Sequence, residues 1–128
     1  MSDRVRVLVA DDLRVVRRAV ARLLSVEPDL EVVGEAVDGV DVVEKVAQLS
    51  PDVVVMDVSM PLLSGVQATR QIAADFPTVK VVVLSAHAAD YMAQPMLDAG
   101  AATYLDKSMP VETLAVAIRA AVCDGTRE

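Results

Sequence analysis

The strongest constraint on the fold is a regular alternation of short apolar runs with longer segments of helical spacing. This pattern predicts five strands and five helices in strict alternation. The predicted strands are Val5–Ala10, Leu30–Ala36, Val53–Asp57, Val79–Ser85 and Thr103–Leu105. The predicted helices are Leu13–Ser25, the segment from the N-cap Asp38 to Leu49, and residues 64–76, 89–99 and 110–123.

Strands that alternate with helices are typical of a parallel sheet, because each parallel pair needs a long crossover connection. Those crossovers are right-handed and place helices on both faces, so the expected fold class is a doubly wound α/β domain. The composition agrees: 54% of the residues are hydrophobic, and the only aromatic ones are Phe76, Tyr91 and Tyr104. With 128 residues, the chain is expected to form a single domain over residues 1–128.

The charge balance excludes some classes of partner. The net charge is −7, from 19 acidic and 12 basic residues, so we expect no direct binding to nucleic acid.

No apolar run approaches the roughly 18 residues of a membrane span, and the first residues lack the apolar stretch of a signal peptide. We therefore expect a cytoplasmic domain without a membrane segment. The single cysteine, Cys123, is expected to be a partly buried thiol.

Three helices have residues that predict their ends or their buried face. Ser50-Pro51 is expected to end the second helix, and Gly100 is expected to end the fourth in a left-handed cap. Pro95 lies within the fourth helix and predicts a late start, a kink or a frayed first turn. The first-helix residues expected to face the core are Val16, Val20, Leu23 and Leu24. Those expected on its solvated face are Arg14, Arg17, Arg18 and Arg22.

Polar residues stand at the carboxyl ends of the predicted strands. Asp11-Asp12 follow the first strand, Asp57 and Ser85 end the third and fourth, and Lys107 lies just after the fifth. Ligands of doubly wound sheets bind outside this edge. If the first and third strands are neighbours, they lie about 4.8 Å apart, so three carboxylates would converge there. Their mutual repulsion predicts a positive charge at the same edge.

Lys107 can supply one positive charge, but a hard divalent cation suits carboxylate oxygens better. Mg²⁺ typically uses one or two carboxylates and bridges to phosphate. A cation, a carboxylate at Asp57, a hydroxyl at Ser85 and an ammonium group are the parts needed to receive a phosphoryl group. An isolated aspartate at a strand end is more often a loop or cap residue. The predicted convergence with Asp11 and Asp12 favours a chemical role for Asp57.

The chain closely resembles the receiver domain of two-component response regulators in four motifs. They are Val-Ala-Asp-Asp (9–12), Val-Met-Asp-Val-Ser-Met-Pro (55–61) with Gly65, Val-Val-Leu-Ser-Ala-His (82–87) and Gly-Ala-Ala-Thr-Tyr-Leu-Asp-Lys (100–107). The set spans nearly the whole chain in the correct order, and the last two motifs are most similar to the NarL/FixJ subfamily. The resemblance implies a flavodoxin-like (βα)5 fold with strand order 2-1-3-4-5.

The resemblance also implies a role for each matching residue of the acidic edge. Asp57 would be the phosphoacceptor. Asp12 and Asp57 would be side-chain ligands of Mg²⁺, together with the backbone carbonyl of Ser59, and Asp11 would act mainly through water.

Three further residues would respond to the phosphoryl group. Lys107 would hold one phosphoryl oxygen, Ser85 would turn its hydroxyl toward it, and Tyr104 would move from an exposed to a buried rotamer. One departure is Ser108, which stands where many receivers have a proline in a cis peptide. His87 is expected to be a loop residue near the site.

The implied function is signalling rather than turnover catalysis. The phosphoryl donor would be a histidine kinase or a phosphotransfer protein, and the switched surface would be the fourth helix, fifth strand and fifth helix. That output face would bind a partner or form a homodimer. The NarL/FixJ likeness implies a helix-turn-helix domain after residue 128 and a role in transcription, and a stand-alone receiver that signals by protein contact is the alternative.

Two other classes of function fit the sequence less well. A Mg²⁺-dependent phosphatase of the haloacid dehalogenase type needs a second acid two residues after the nucleophile, and that residue is Ser59. A nucleotide- or flavin-binding module needs a glycine-rich or hydroxyl-rich cradle after the first strand. Here that position has Asp11-Asp12, which is acidic.

Overall fold

A computed structural model describes residues 4–57, 65–85, 90–106 and 110–125 of the chain. Strands and helices alternate over these residues as the sequence predicts. The strands are β1 Val5–Ala10, β2 Leu30–Ala36, β3 Val53–Asp57, β4 Lys80–Ser85 and β5 Thr103–Asp106. The helices are α1 Arg14–Ser25, α2 Gly39–Leu49, α3 Gly65–Asp75, α4 Asp90–Asp98 and α5 Val111–Gly125. The predicted bounds of β1, β2 and β3 are confirmed to the residue.

The five strands form one parallel sheet in the order β2-β1-β3-β4-β5. This order confirms the predicted doubly wound fold. The order reverses at β1, which lies between β2 and β3, and ligand sites of such sheets lie at this reversal. β3 is the central strand, and all five of its residues are buried.

The core consists of two apolar layers, one on each face of the sheet. Alternate residues of a strand point to opposite faces. Val53 and Val55 of β3 pack in the layer beneath α1 and α5, whereas Val54 and Met56 pack in the layer beneath α2, α3 and α4. Burial of each such aliphatic side chain contributes about 1.5–3 kcal/mol, so β3 is held firmly from both sides.

The strand β2 contains a bulge that changes which face its last residues meet. Val7 pairs with Val32, but the next residue, Leu8, pairs with Gly34, so Val33 is the extra residue. Bulges of this kind redirect the side chains that follow them. Glu35 consequently pairs with Val9, whose side chain packs in the layer beneath α1 and α5.

The predicted ends of α2 and the predicted cap of α4 are found in the structure. The Asp38 side chain accepts the N–H of Asp41 at 2.7 Å and so caps α2, which Ser50 closes with a positive φ of 50°. At the end of α4, Gly100 has a φ of +117°. The N–H of Gly100 donates to the Leu97 carbonyl and the N–H of Ala101 to the Met96 carbonyl, each at 3.0 Å. These two bonds form a Schellman cap.

Helix α4 runs through Pro95, and the N–H of Ala99 donates to the Pro95 carbonyl at 3.0 Å. The described part of the helix runs from Asp90 to Asp98, and the predicted first residue, 89, lies outside the described residues. Pro95 removes one backbone donor from the helix. At the carboxyl end of the helix, the cap at Gly100 supplies donors to the Leu97 and Met96 carbonyls.

Three expectations about exposure are wrong. Arg17 is buried, at 9% exposure, although it was placed on the solvated face of α1. Leu23 is half-exposed, although it was placed on the apolar face. Cys123 is exposed rather than partly buried.

No helix in the described part of the chain is long and apolar enough to cross a membrane.

Candidate functional site: an acidic cluster at the carboxyl edge of the sheet

The candidate site lies where three adjacent strands end. Ala10 of β1 pairs with Met56 of β3, so Asp11 and Asp57 follow side by side. On the other side of β3, Asp57 pairs with Leu84, and Ser85 is the next residue of β4. Asp11, Asp57 and Ser85 are each no more than 5% exposed. The apolar strands therefore carry polar side chains to one buried edge, as the sequence predicts.

Three carboxylates converge at this edge. One carboxylate oxygen from each of Asp11, Asp12 and Asp57 can be chosen so that all three lie within 4.8 Å of one another. Asp11 and Asp57 are buried, whereas Asp12 is exposed, so the cluster opens toward solvent on one side. Buried carboxylates so close together repel one another unless a cation neutralises them. The structure thus brings together the three predicted carboxylates in a geometry suited to a cation.

Hydrogen bonds hold Asp11 at its amide, its carbonyl and its carboxylate. Its N–H donates to the Ala36 carbonyl at 3.1 Å. Its Oδ1 accepts the N–H of Leu13 at 2.9 Å, and its carbonyl accepts Nη1 of Arg17 at 2.9 Å. These bonds fix the direction of both the main chain and the side chain of Asp11 at the edge of the cluster.

The burial of Arg17 and its two hydrogen-bond partners were not predicted from the sequence. Besides the Asp11 carbonyl, Arg17 binds Glu35, with Nε donating to Oε1 at 2.9 Å. Its spacing could have revealed its burial, because Arg17, Ala21 and Leu24 lie at i, i+4 and i+7 and are the buried residues of α1. An arginine on the apolar stripe of a helix is expected to have buried partners.

Glu35 has two further cationic neighbours. Arg18 forms an ion pair with its Oε2 at 3.4 Å, and this arginine is 52% exposed. Lys45 Nζ donates to the Glu35 carbonyl at 2.7 Å and to Oδ2 of Asp41 at 3.1 Å. The end of β2 is therefore linked to both α1 and α2 by charged side chains.

The other predicted site residues lie farther along the same edge or outside the described residues. Ser85 pairs with Asp106 of β5. Tyr104 is half-buried and packs against the core layer beneath α2, α3 and α4. Lys107, Ser59 and the neighbouring Ser108 lie outside the described residues, as does His87. The predicted positions of Asp11, Asp12, Asp57 and Ser85 are those that the structure brings to this edge.

The donor set of the cluster fits a hard divalent cation. All three groups offer carboxylate oxygens, which Mg²⁺ and Ca²⁺ prefer over nitrogen or sulfur ligands. Mg²⁺ keeps several waters and takes one or two carboxylates, and the exposed position of Asp12 leaves room for those waters. A phosphate oxygen could complete such a coordination sphere from the solvent side.

A parallel sheet in the order 2-1-3-4-5 with an acidic cluster at its carboxyl edge defines a flavodoxin-like domain whose carboxylates could hold a cation. The family model for the response regulator receiver domain matches residues 7–119. The chain therefore belongs to the response regulator receiver family.

Two curated relatives give the extent of this similarity. The transcriptional regulatory protein LiaR of Bacillus subtilis (strain 168) is 42% identical over 117 residues, which cover 91% of this chain and 56% of LiaR. The transcriptional regulatory protein DegU of Brevibacillus brevis is 38% identical over 118 residues, which cover 92% of this chain and 50% of DegU. The chain thus spans about half the length of these relatives.

Solved structures give the same result for the fold. The signal receiver domain of NarL from Mycobacterium tuberculosis has a TM-score of 0.84 and 30% identity, covering 98% of this chain and 99% of that one. A two-component response regulator of the LuxR family from Aurantimonas sp. SI85-9A1 has a TM-score of 0.90 and 30% identity, covering 94% and 86%. The predicted fold and the likeness to the NarL/FixJ subfamily are confirmed.

Proposed function

We propose that the chain receives a phosphoryl group on the carboxylate of Asp57. The donor is the phosphohistidine of a histidine kinase or a phosphotransfer protein. An Asp57 oxygen forms a bond to phosphorus as the bond between phosphorus and the donor imidazole breaks, and the imidazole keeps the electron pair and takes up a proton. The observation that carries this proposal is the convergence of Asp11, Asp12 and Asp57 at the end of a central buried strand.

Mg²⁺ is the proposed cofactor of this transfer. Asp12 and Asp57 hold it with the backbone carbonyl of Ser59, and Asp11 acts mainly through water. When bound, Mg²⁺ neutralises the charge that gathers on the phosphoryl oxygens. The buried positions of Asp11 and Asp57 support this role, because carboxylates removed from solvent interact more strongly with a cation.

Three more residues complete the proposed site. Lys107 binds a phosphoryl oxygen, Ser85 turns its hydroxyl toward the phosphoryl group, and Tyr104 changes its rotamer in response. Support for Ser85 comes from its burial one residue beyond the partner of Asp57 on β4. Support for Tyr104 comes from its half-buried position, from which a change of rotamer alters its contact with the core.

The proposed output is a change of the face formed by α4, β5 and α5, which then binds a partner or a second copy of the chain. We propose that residues 1–128 are the receiver of a transcription regulator, because LiaR and DegU are named as such and are about twice as long. The chain acts as a phosphoacceptor in the cytoplasm and catalyses only its own phosphorylation and dephosphorylation.

The test is to incubate the chain with Mg²⁺ and acetyl phosphate and to measure its intact mass. We expect the added mass of one phosphoryl group, and no addition when Mg²⁺ is removed with a chelator. Acetate is the leaving group, so no kinase is needed. The Asp57→Ala variant should show no addition.

Asp52→Ala is the matched control, because Asp52 lies at the amino end of the same strand. Its carboxylate accepts the N–H of Arg6 at 2.9 Å and has no place in the acidic cluster. This variant should be phosphorylated like the original chain. Absence of an adduct with both acetyl phosphate and a cognate kinase would contradict the proposal, as would sustained hydrolysis of phosphate esters.

A further inference from the structure

Arg17 connects the acidic cluster to the end of β2. Its side chain is 11% exposed and donates to two groups at once, the carbonyl of Asp11 and the carboxylate of Glu35, both at 2.9 Å. We propose that Arg17 is a positioning residue of the cation site: it sets the main-chain direction at Asp11 and thereby the affinity of the cluster for Mg²⁺. This inference rests on the proposed function of the cluster.

The turn between β1 and α1 has no side-chain cap hydrogen bond at the N-cap position of α1. Leu13 occupies the N-cap position of α1, and its side chain cannot cap the helix. A capping serine, threonine or aspartate would normally hold such a turn. Here the N–H of Leu13 donates to Asp11 Oδ1, and the Arg17 side chain, from the first turn of α1, donates to the carbonyl of Asp11. Arg17 cannot accept a helix N–H as a cap does, but its bond ties the first turn of the helix to the residue that ends β1.

The bulge in β2 is what puts Glu35 within reach of Arg17. Without the extra residue Val33, Glu35 would pair with Ala10, whose side chain lies in the layer beneath α2, α3 and α4. With the bulge, Glu35 pairs with Val9 and lies on the face that α1 covers. One inserted residue thus sets the partner that orients the Arg17 guanidinium.

Arg17 can affect the cluster through its positive charge or through its bond to the Asp11 carbonyl, and the two roles predict opposite changes in Mg²⁺ affinity. Glu35 pairs with both Arg17 and Arg18 and so offsets part of their charge. If Arg17 acted only as a nearby positive charge, removing it would strengthen Mg²⁺ binding. If it positions Asp11, removing it would weaken Mg²⁺ binding, because the carbonyl and the turn lose their anchor. The direction of the change distinguishes the two roles.

The experiment compares Arg17→Ala with Arg18→Ala by calorimetric titration with Mg²⁺. Loss of an outer contact that orients a metal ligand typically weakens metal binding at least about tenfold, and we expect this loss for Arg17→Ala. Arg18 is the matched control: it is the next residue of α1, has the same charge and shares the partner Glu35. Its removal should leave the affinity unchanged or slightly higher.

A second measurement separates positioning from general damage. The initial rate of phosphorylation by acetyl phosphate is recorded against Mg²⁺ concentration. For Arg17→Ala we expect the half-saturating Mg²⁺ concentration to rise about tenfold while the rate at saturating Mg²⁺ stays close to that of the original chain. Circular dichroism confirms that the variants are folded at the assay temperature.

Arg17→Lys tests the same inference in a variant that keeps the charge. The lysine ammonium is a single compact group and cannot span both partners as the guanidinium does. We expect a Mg²⁺ affinity between those of the original chain and Arg17→Ala. If Arg17→Ala does not fold, the affinity of Arg17→Lys tests the positioning role of Arg17.

Three outcomes would overturn the inference: equal affinity of Arg17→Ala and the original chain, tighter binding by Arg17→Ala, or equal weakening by Arg18→Ala. Failure of the proposed function is a different result, because the original chain itself would then bind no Mg²⁺ and accept no phosphoryl group.

Discussion

Two arginines hold the two ends of β2, and they differ in burial. Arg17 of α1 binds Glu35 near the carboxyl end of the strand, and its side chain is 11% exposed. Arg119 of α5 binds Asp29, just before the amino end, and is 40% exposed. Each links a helix on one face of the sheet to β2. The first lies beside the acidic cluster, whereas the second lies at the opposite edge.

The exposed arginine has the better ion-pair geometry. Nε and Nη2 of Arg119 donate to the two carboxylate oxygens of Asp29 at 2.7 and 2.8 Å, and Nη2 also donates to Glu27 at 2.7 Å. Exposed pairs nevertheless contribute little to stability, because water and salt compete for both charges. Good hydrogen-bond geometry alone therefore does not give the Arg119 pair a large contribution to stability.

The buried arginine has fewer bonds but binds the main chain. Loss of its bond to the Asp11 carbonyl would leave a buried acceptor without this partner, which costs more than loss of an exposed bond. Burial and a main-chain partner, rather than the number of ionic contacts, therefore distinguish Arg17 from Arg119.

The largest expected effect is on stability. Arg17→Ala should lower the free energy of unfolding by about 2 kcal/mol, because it breaks a partly buried pair and removes a donor from a buried carbonyl. Arg119→Ala should lower it far less. Urea unfolding of both variants measures the difference, and an equal loss in the two would contradict the comparison.

The next effect concerns stabilisation by Mg²⁺. At a concentration of about ten times the dissociation constant, Mg²⁺ should stabilise the original chain by about 1.4 kcal/mol. Arg119→Ala should gain the same amount. If Arg17→Ala binds about ten times more weakly, its gain at that concentration falls to about 0.4 kcal/mol. Urea unfolding with and without Mg²⁺ provides the measurement, and an equal gain in all three chains would show that neither arginine affects the cation.

High salt should change the stability loss of the Arg119 variant more than that of the Arg17 variant. The Debye length falls from about 10 Å at about 0.1 M salt to about 3 Å at about 1 M, and exposed pairs are screened far more than buried ones. The loss of stability caused by Arg119→Ala should therefore shrink at high salt, while the loss caused by Arg17→Ala should persist. Urea midpoints at the two salt concentrations test this, and parallel changes in both variants would refute it.

The smallest expected effect is on acid titration. The hydrogen bond from Arg119 lowers the pKa of Asp29 below its ordinary value of 3.8. Because the folded-state pKa is depressed, the stabilisation is present above pH 3.8 and is lost as the pH falls through the lower, folded-state pKa. In Arg119→Ala the pKa of Asp29 should rise toward 3.8. A carbon NMR titration of the Asp29 carboxyl measures it, and Arg17→Ala should leave it unchanged.

Much of the fold could be predicted because its signals are local. The apolar runs match β1, β2 and β3 to the residue, and Asp38, Ser50 and Gly100 act where their conformational preferences predict. β5 and α5 each extend beyond their predicted ends, because strand and helix ends depend on neighbours as well as on local preference.

The acidic cluster could also be predicted, because strand ends of a parallel sheet meet at one edge. Asp11, Asp12 and Asp57 needed only the correct strand order to converge. The role of Asp57 as phosphoacceptor stays a prediction until the mass measurement is made. The burial of Arg17 was not predicted, because arginine is usually exposed and its partners lie elsewhere in the sequence.

Local sequence is enough to specify the alternation of strands and helices, the apolar character of β3 and the carboxylates at the strand ends. These follow from residue preferences and from the twofold and 3.6-residue periods, which act over a few residues. The bulge of β2 at Val33, the position of Glu35 on the face covered by α1 and the bond from Arg17 to the Asp11 carbonyl became visible in the folded chain. Those contacts depend on strand register and on the packing of α1 against β2, so no local sequence pattern specifies them.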